Sequence, residues 1–530
     1  MTSRLLSTGM AVFAALGTLS CPRDGATYET MAVSQLEDKI RGGWAGQMIG
    51  VSFGAPTEFR FLGTIVPEEA LPEWRPEMVR NALDQDDLYV DMTFAAVLDE
   101  RGLDATTDDF GAMFRNAKYH LWHANLAARR ALRRGAPATL SGTPAYNAHA
   151  NDIDFQIEAD FIGLMSPGLP QASNDLCLRA GRVMNYGDGI LGGVFVSGMY
   201  AAAFFESDPR RIVEAGLATL PADSPYARVI RDVLEWSRQF PDDWAHVWQL
   251  LNEKWDRREL CPAGALQPFN IDAKLNGAYV ALGLLFGAGD FHKTMVIATR
   301  GGQDSDCNPA SALGVLGVVL GFERIPEQYK GGVAAIADEE FSYTGYTFNT
   351  IVASSLRRAI ALVERHGGRV EGDSVVVRTQ GFTPASLETW DDYGSPAERV
   401  AVNDARWTFS GDWEQEHPTA RDGMEGGRWT GAASAEASIA FQGTGAILAG
   451  TYLPSGGTAD IYLDGKLHRT VDVYSDEETM RSQEAVWHVF GLERGEHRLR
   501  VIVRGEPYRG SGGDESSGTN LSLSYLLVFR

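Results

Sequence analysis

Three acidic segments, far apart in the chain, hold the residue types that bind hard cations and move protons. The first ends the small-residue run GGWAGQMIGVSFGAPTEF and delivers Glu58 just after Gly54-Ala55-Pro56. In the second, Asp84-Gln85-Asp86-Asp87-Leu88-Tyr89-Val90-Asp91-Met92-Thr93, adjacent carboxylates stand at a helix start, and Asp87 and Asp91, four apart, share a helix face. The third, Gly301-Gly302-Gln303-Asp304-Ser305-Asp306-Cys307-Asn308-Pro309, is a glycine turn with two carboxylates two residues apart, followed by the apolar helix ASALGVLGVVLGF. Carboxylates crowded at helix starts repel one another unless a cation, a proton or backbone N–H groups compensate. One such pair reads as a helix cap. Two pairs, each before an apolar helix in one domain, point to divalent metal.

These carboxylates need a scaffold, and from residue 34 to 366 the pattern is helical: apolar residues recur at three and four, with Gly, Pro and Asp at element ends. Ser34-Gln35-Leu36-Glu37 opens the first helix with capping-box spacing. Residues 367–404 mix short β-rich runs with Gly, Pro and Asp and read as a connector. From 405 to 530 alternating strands and turn signals at Thr444-Gly445, Gly456-Gly457, Asp464-Gly465 and Arg494-Gly495 predict a β-sandwich or jelly roll. The expectation is a multidomain chain, an all-α domain followed by an all-β sandwich.

Composition sets limits. The chain has 530 residues, 44% hydrophobic and 22% charged, which excludes a disordered or multispan membrane protein. Acidic residues outnumber basic ones 70 to 47, a net charge of −23, so nucleic acid is not an expected partner and divalent cations are favoured. Arg4 and the apolar stretch Leu5–Leu19 read as an export signal within residues 1–33. Thr18-Leu19-Ser20-Cys21 resembles a lipobox, so the alternatives are a cleaved signal peptide, a lipid anchor at Cys21, or a buried N-terminal helix. The expected location is periplasmic, cell-surface or extracellular. Cys177, Cys261 and Cys307 do not form a disulfide framework, and His120 and His123 read as packing and surface, since no third zinc ligand accompanies them.

Taken together, GGWAGQMIGVSFGAPTE, the Asp-Asp cluster and GGQDSDCNPA resemble the ADP-ribosylglycohydrolase family over roughly residues 38–325. The resemblance implies an all-α fold with a two-magnesium centre (Ca2+ or Mn2+ as substitutes) that hydrolyses an N- or O-glycosidic bond at an anomeric carbon. It implies Asp86, Asp87, Asp304 and Asp306 as metal ligands, and Glu58, Asp87 and Asp306 as catalytic residues. The family's paired aspartates are flanked by Thr, where this chain has Gln85 and Leu88; a second register instead aligns Asp91 and Thr93 with the motif. Cys307 stands where Thr or Ser is usual, and a thiol prefers softer metals than magnesium, so it reads as a packed neighbour of the site.

The segment Asn147–Asp160 also looks like family sequence; it offers Asp152, Asp154 and Glu158 for substrate binding, against a plain charged helix face. Gly187 and Asp188, in a glycine-rich stretch that could line a sugar, together with Asp91 and Asn308, complete the expected substrate contacts. The GxGxxG within that stretch follows no strand and opens no βαβ unit, which excludes a dinucleotide fold. Export and an appended sandwich direct the expected substrate toward a furanosyl glycan or glycoside. An ADP-ribosyl conjugate is the alternative, and a catalytically inactive sugar or nucleotide binder is the second. The sandwich reads either as a carbohydrate-binding module or as a structural cap.

Overall fold

A computed structural model describes residues 27–256, 260–389, 394–415, 426–477, 479–510 and 513–530. The expected export signal, with Cys21, lies outside these residues. Among the described residues seventeen α-helices lie between Val33 and Arg365, and antiparallel β-sheets follow. No helix among the described residues is long and apolar enough to cross a membrane.

The axis of the helical domain is the contact between helix Val33–Gly54 and helix Cys307–Leu320. Gly42, Gly46, Gly50 and Gly54, spaced four apart, form one stripe on the first helix. A Cβ at these positions would lie 2.0–2.3 Å from the carbonyl oxygens of Gly317, Leu313, Pro309 and Ser305, which are likewise spaced four apart. Side chains are excluded from this seam, so the helix backbones touch. The apolar core, with Trp44, Phe94, Phe155 and Tyr279 fully buried, fills in around it.

The β-rich runs placed in the connector are structured. Arg369–Glu371 and Ser374–Arg378 form a three-stranded sheet with Tyr28–Ala32, which pairs antiparallel with Ser374–Arg378. Met31, Val375 and Val377 bury into the helical core. The partner strand lies some 340 residues upstream in sequence, which is why local pattern alone shows a β-rich run and no sheet. Pro396–Ala401, in the same expected connector, is an edge strand of the sandwich.

In the sandwich, a five-stranded sheet faces a four-stranded sheet, with Ile439, Leu448, Ile461, Trp487 and Leu526 between them. The four-stranded sheet is buried on its other face as well. Ile447, Ala449, Tyr525, Leu527 and Phe529 pack with Ala148 and Ala265 of the helical domain, so strand Gly445–Tyr452 is buried at every position rather than alternating. Charge completes the junction. Arg134 pairs with Asp472 and Asp476, Arg130 with Asp472, and Arg129 with Glu477. The Arg130 guanidinium lies 3.6 Å from the Tyr452 ring centre.

Candidate metal centre

Glu58 follows a single 3-10 turn, Ala55–Thr57, after the glycine-striped helix. This segment is laced to the 301–306 turn: Phe59 N donates to Gln303 O at 3.0 Å, Gln303 N donates to Phe61 O at 3.1 Å, and the Thr57 and Ser305 hydroxyls hydrogen-bond at 2.8 Å. Gly302 has φ +76°, and a Cβ there would lie 2.7 Å from two carbonyl oxygens of the Glu58 segment, so only glycine lets the two turns meet. Asp306 then stands at the N-cap position of helix Cys307–Leu320 without a side-chain capping bond, while Asp86 and Asp87 lie in the first turn of helix Asp86–Arg101. Gln47 Nε2, from the glycine-striped helix, donates to Asp87 O at 3.3 Å and fixes that turn.

The three acidic segments therefore converge. Ligand atoms of Glu58, Asp304 and Asp306 all lie within 4.8 Å of one another, and so do those of Asp87, Asp306 and Cys307. Asp306 belongs to both groups. They open into a cavity of about 390 Å³ lined by Glu58, Phe59, Asp86, Trp122, Asp154 and Asp304, among others. A cavity of about 500 Å³ lies at the domain junction, walled by Arg130, Arg134, Tyr452 and Asp472, where both guanidiniums are already paired with Asp472. Chemistry, rather than size, selects the smaller one.

These buried carboxylates raise one another's pKa. Burial, and then the charge of Asp306, pushes the carboxyls of Asp87 and Asp304 well above the ordinary range, and burial pushes Asp306 up as well. Glu58 is pushed up by burial and by Asp306 and Asp86; it is exposed at the rim, so water moderates the burial part of that push. Asp87 Oδ1, Asp304 Oδ1 and Asp306 Oδ1 are buried and accept no hydrogen bond, and no Lys or Arg among the described residues pairs with these carboxylates. Unpaired buried oxygens at this density are costly and form the donor set hard divalent cations take, so the residues fit such ions. Cys307 Sγ donates to Asp87 Oδ2 at 3.3 Å, and burial, followed by the surrounding carboxylates, pushes the thiol well up. That hydrogen bond orients Asp87.

The other expected contacts divide. Asp154 lines the cavity, its oxygens held by the backbone N–H groups of Ala124 (3.2 Å) and Asn125 (2.9 Å) at the start of helix His123–Arg133. Glu158 lies behind it, bonded to the Asn125 amide. Asp91 is one helical turn deeper than Asp87 and fully buried; its Oδ1 accepts from Phe161 N at 3.1 Å, which makes it a core group outside the cavity. The register through Asp91 and Thr93 thus has no place at the site. Asn308 is buried and donates to Asn276, away from the cavity lining. Gly187 and Asp188 open the buried helix Asp188–Ala203, where Asp188 Oδ1 accepts from Tyr226 N at 3.2 Å; they do not line the cavity either. That glycine run serves packing: at Gly189 and Gly193 a Cβ would meet Ala150 O and the Phe155 ring at 2.4 and 2.5 Å.

Asp152 enters a different cluster. Its Oδ2 lies 2.9 Å from His149 Nδ1 and 3.5 Å from His123 Nδ1, and these residues with Cys261 form a third group whose ligand atoms lie within 4.8 Å of one another. The companions of His123 in this group lie 26 to 138 positions further on, beyond any local spacing. Aromatic walls were also illegible locally. Trp122 lines the cavity with the Arg481 guanidinium of the sandwich 5.0 Å from its ring centre, so the β-domain shapes the mouth of the site.

Residues 32–366 match the model of the ADP-ribosylglycohydrolase family. A 105-residue stretch is 34% identical to the A type blood alpha-D-galactosamine galactosaminidase of Flavonifractor plautii, covering 20% of this chain and 9% of that protein's length. Among solved structures, an ADP-ribosylglycohydrolase-related protein complex is similar at 17% identity and a TM-score of 0.42, over 62% of this chain and 98% of that one. A family 35 carbohydrate-binding module from Clostridium thermocellum is similar at 14% identity and a TM-score of 0.18, over 25% of this chain and 97% of that one.

Proposed function

Because the chain belongs to the ADP-ribosylglycohydrolase family, a family of glycosidic-bond hydrolases, we propose that it is a divalent-metal-dependent hydrolase of a furanosyl glycan or glycoside, exported from the cell. The observation that carries this reading is the pair of ligand groups that share Asp306 and reach one cavity through Glu58, Asp304 and Cys307. Two cations, magnesium in our reading, would be held by Asp86, Asp87, Asp304 and Asp306 and would supply the charge that binds sugar hydroxyls and acidifies a water.

The chain's own residues do the rest. Glu58, at the rim beside Asp306, orients the attacking water toward the anomeric carbon and takes its proton as the new C–O bond forms, while the bond to the leaving group breaks and the departing atom takes up a proton from solvent. Asp154, its oxygens fixed by two backbone N–H donors, accepts from a sugar hydroxyl. Phe59 and Trp122 offer apolar faces to the ring and limit water around the reacting carbon. A galactosaminidase among the relatives favours glycan over protein conjugate. Family membership favours the second reading, an ADP-ribosyl conjugate.

One panel tests both. Sugar release is followed by mass spectrometry from furanoside-containing polysaccharides, synthetic furanosides and ADP-ribosylated protein, with magnesium and with chelator. Metal-dependent release of a simple sugar is expected; release of ADP-ribose assigns the second reading. Tight sugar binding without turnover in magnesium would instead make the chain an inactive binder, and turnover indifferent to chelator would overturn the metal-dependent mechanism.

A further inference from the structure

We propose that His123, His149, Asp152 and Cys261 form a structural site for a zinc-like transition ion, distinct from the carboxylate centre and independent of the function assigned to it. The four residues come from three separate places: the start of helix His123–Arg133, the loop before Asp154, and the segment after helix Trp244–Trp255. Backbone pairing brings the Asp152 loop to Asp272, in the segment that follows Cys261, and one ligand atom of each of the four lies within 4.8 Å of all the others. Around a tetrahedral zinc, N, O and S ligands stand roughly 3.3 to 3.7 Å apart, as follows from bond lengths of about 2.0 to 2.3 Å. The observed spread closes onto an ion with shifts of about an ångström or less.

The donor chemistry differs from that of the acidic centre. Two imidazoles, one carboxylate and one thiol are a borderline-to-soft set that selects zinc over magnesium, and four protein ligands make a closed, structural site. Cys261 Sγ accepts the backbone N–H of Gly264 at 3.3 Å. The imidazoles of His123 and His149 both turn Nδ1 to the same Asp152 oxygen. With His149 Nδ1 engaged there, its Nε2, buried and without a hydrogen bond, lies 4.0 Å from Glu484 of the sandwich, on the side where a metal-bound histidine hands its other N–H to a carboxylate. His123 adopts φ +43°, a left-handed conformation costly for a non-glycine residue and sustained only where surroundings hold it.

The site has a task. His123 and Ile153, next to Asp152, both line the catalytic cavity, so an ion here pins two of its walls to each other and, through Glu484, to the sandwich.

The test is a cobalt titration of the purified, chelator-treated full chain, read by absorption. The expected result is one equivalent of cobalt giving intense tetrahedral visible bands and a thiolate-to-cobalt charge-transfer band in the near ultraviolet, displaced by zinc. Both features are expected to vanish in Cys261→Ser and in His149→Gln. They are expected to persist in Cys307→Ser, which removes the thiol of the acidic centre, and in Asp306→Asn, which disables that centre. Absence of the charge-transfer band in the native chain overturns the proposal regardless of how any variant folds, as does a band that follows Cys307 instead of Cys261. Loss of glycan hydrolysis in Asp306→Asn with the cobalt spectrum intact separates failure of the one site from failure of the other.

Discussion

Gly54→Ala places the heaviest demand on the glycine seam, because this residue sits where the seam meets the acidic turn. A Cβ at position 54 would lie 2.0 Å from Ser305 O and 2.4 Å from Asp306 Cα, whereas real Cβ atoms essentially never come within 3.0 Å of another heavy atom. Both neighbours are backbone, so no side-chain rotation relieves the clash. The turn carrying Asp304 and Asp306 must retreat by about 1 Å, the difference between those separations. Overpacking of this kind costs about 1–3 kcal/mol, and a displacement of about 1 Å at reacting groups costs on the order of 100-fold in rate. Gly331→Ala is the control: it lies in helix Glu327–Ala335, its nearest neighbour would be the flexible Glu327 side chain at 3.5 Å, and alanine there gains up to about 1 kcal/mol of helix propensity. Thermal unfolding and manganese titration are read on both variants beside the native chain. Gly54→Ala is expected to melt several degrees lower and to bind manganese at least tenfold more weakly, with Gly331→Ala unchanged or stabilised. A Gly54→Ala chain with native melting and native manganese affinity would refute the reasoning that the seam sets the metal centre.

The acidic centre predicts opposite effects with and without metal. Asp306→Asn is expected to raise the melting temperature of chelator-treated protein by relieving repulsion with Glu58, Asp87 and Asp304, and to abolish the stabilisation that magnesium gives the native chain, about 2.7 kcal/mol at a hundredfold excess over Kd; a fall in the metal-free melting temperature counts against the reading. At the junction, burial alone would raise the Asp472 carboxyl, but the Arg130 and Arg134 guanidiniums more than reverse this and hold it at about 2. Its folded value lies below its unfolded one, so its stabilisation, about 2 kcal/mol, is complete above roughly pH 4 and lost as pH falls toward 2. Asp472→Asn is expected to remove that acid-dependent loss, seen as a flatter melting curve between pH 5 and pH 3, and an unchanged slope would exclude the role. Glu477→Gln leaves Arg129, 1% exposed, without its counter-charge; a cost of about 3–5 kcal/mol is expected for a buried unpaired charge, and a melting shift under one degree would show the pair to be dispensable.

Several features were fixed by residue order alone. Periodicity of three and four marks the helices because a helix buries one stripe, and alternation marks the sandwich because a strand buries one face. Carboxylates adjacent in sequence, Asp86 and Asp87, or two apart across a glycine turn, Asp304 and Asp306, are legible as a candidate centre because their proximity is covalent. Other features required the tertiary structure. Asp91 shares a helix face with Asp87, yet Asp91 accepts from Phe161 N in the core while Asp87 joins Asp306 and Cys307, and sequence does not encode that depth. Gly187 reads as a sugar-lining glycine and proves to open a buried helix. Strand Tyr28–Ala32 finds its partner at Ser374–Arg378, and His123 finds His149, Asp152 and Cys261, only after the intervening chain has folded. Spacing along a chain reports what a single helix or turn brings together; contacts across hundreds of residues depend on how whole elements pack, as the seam from Gly42 to Gly54 shows by carrying Glu58 to Asp306.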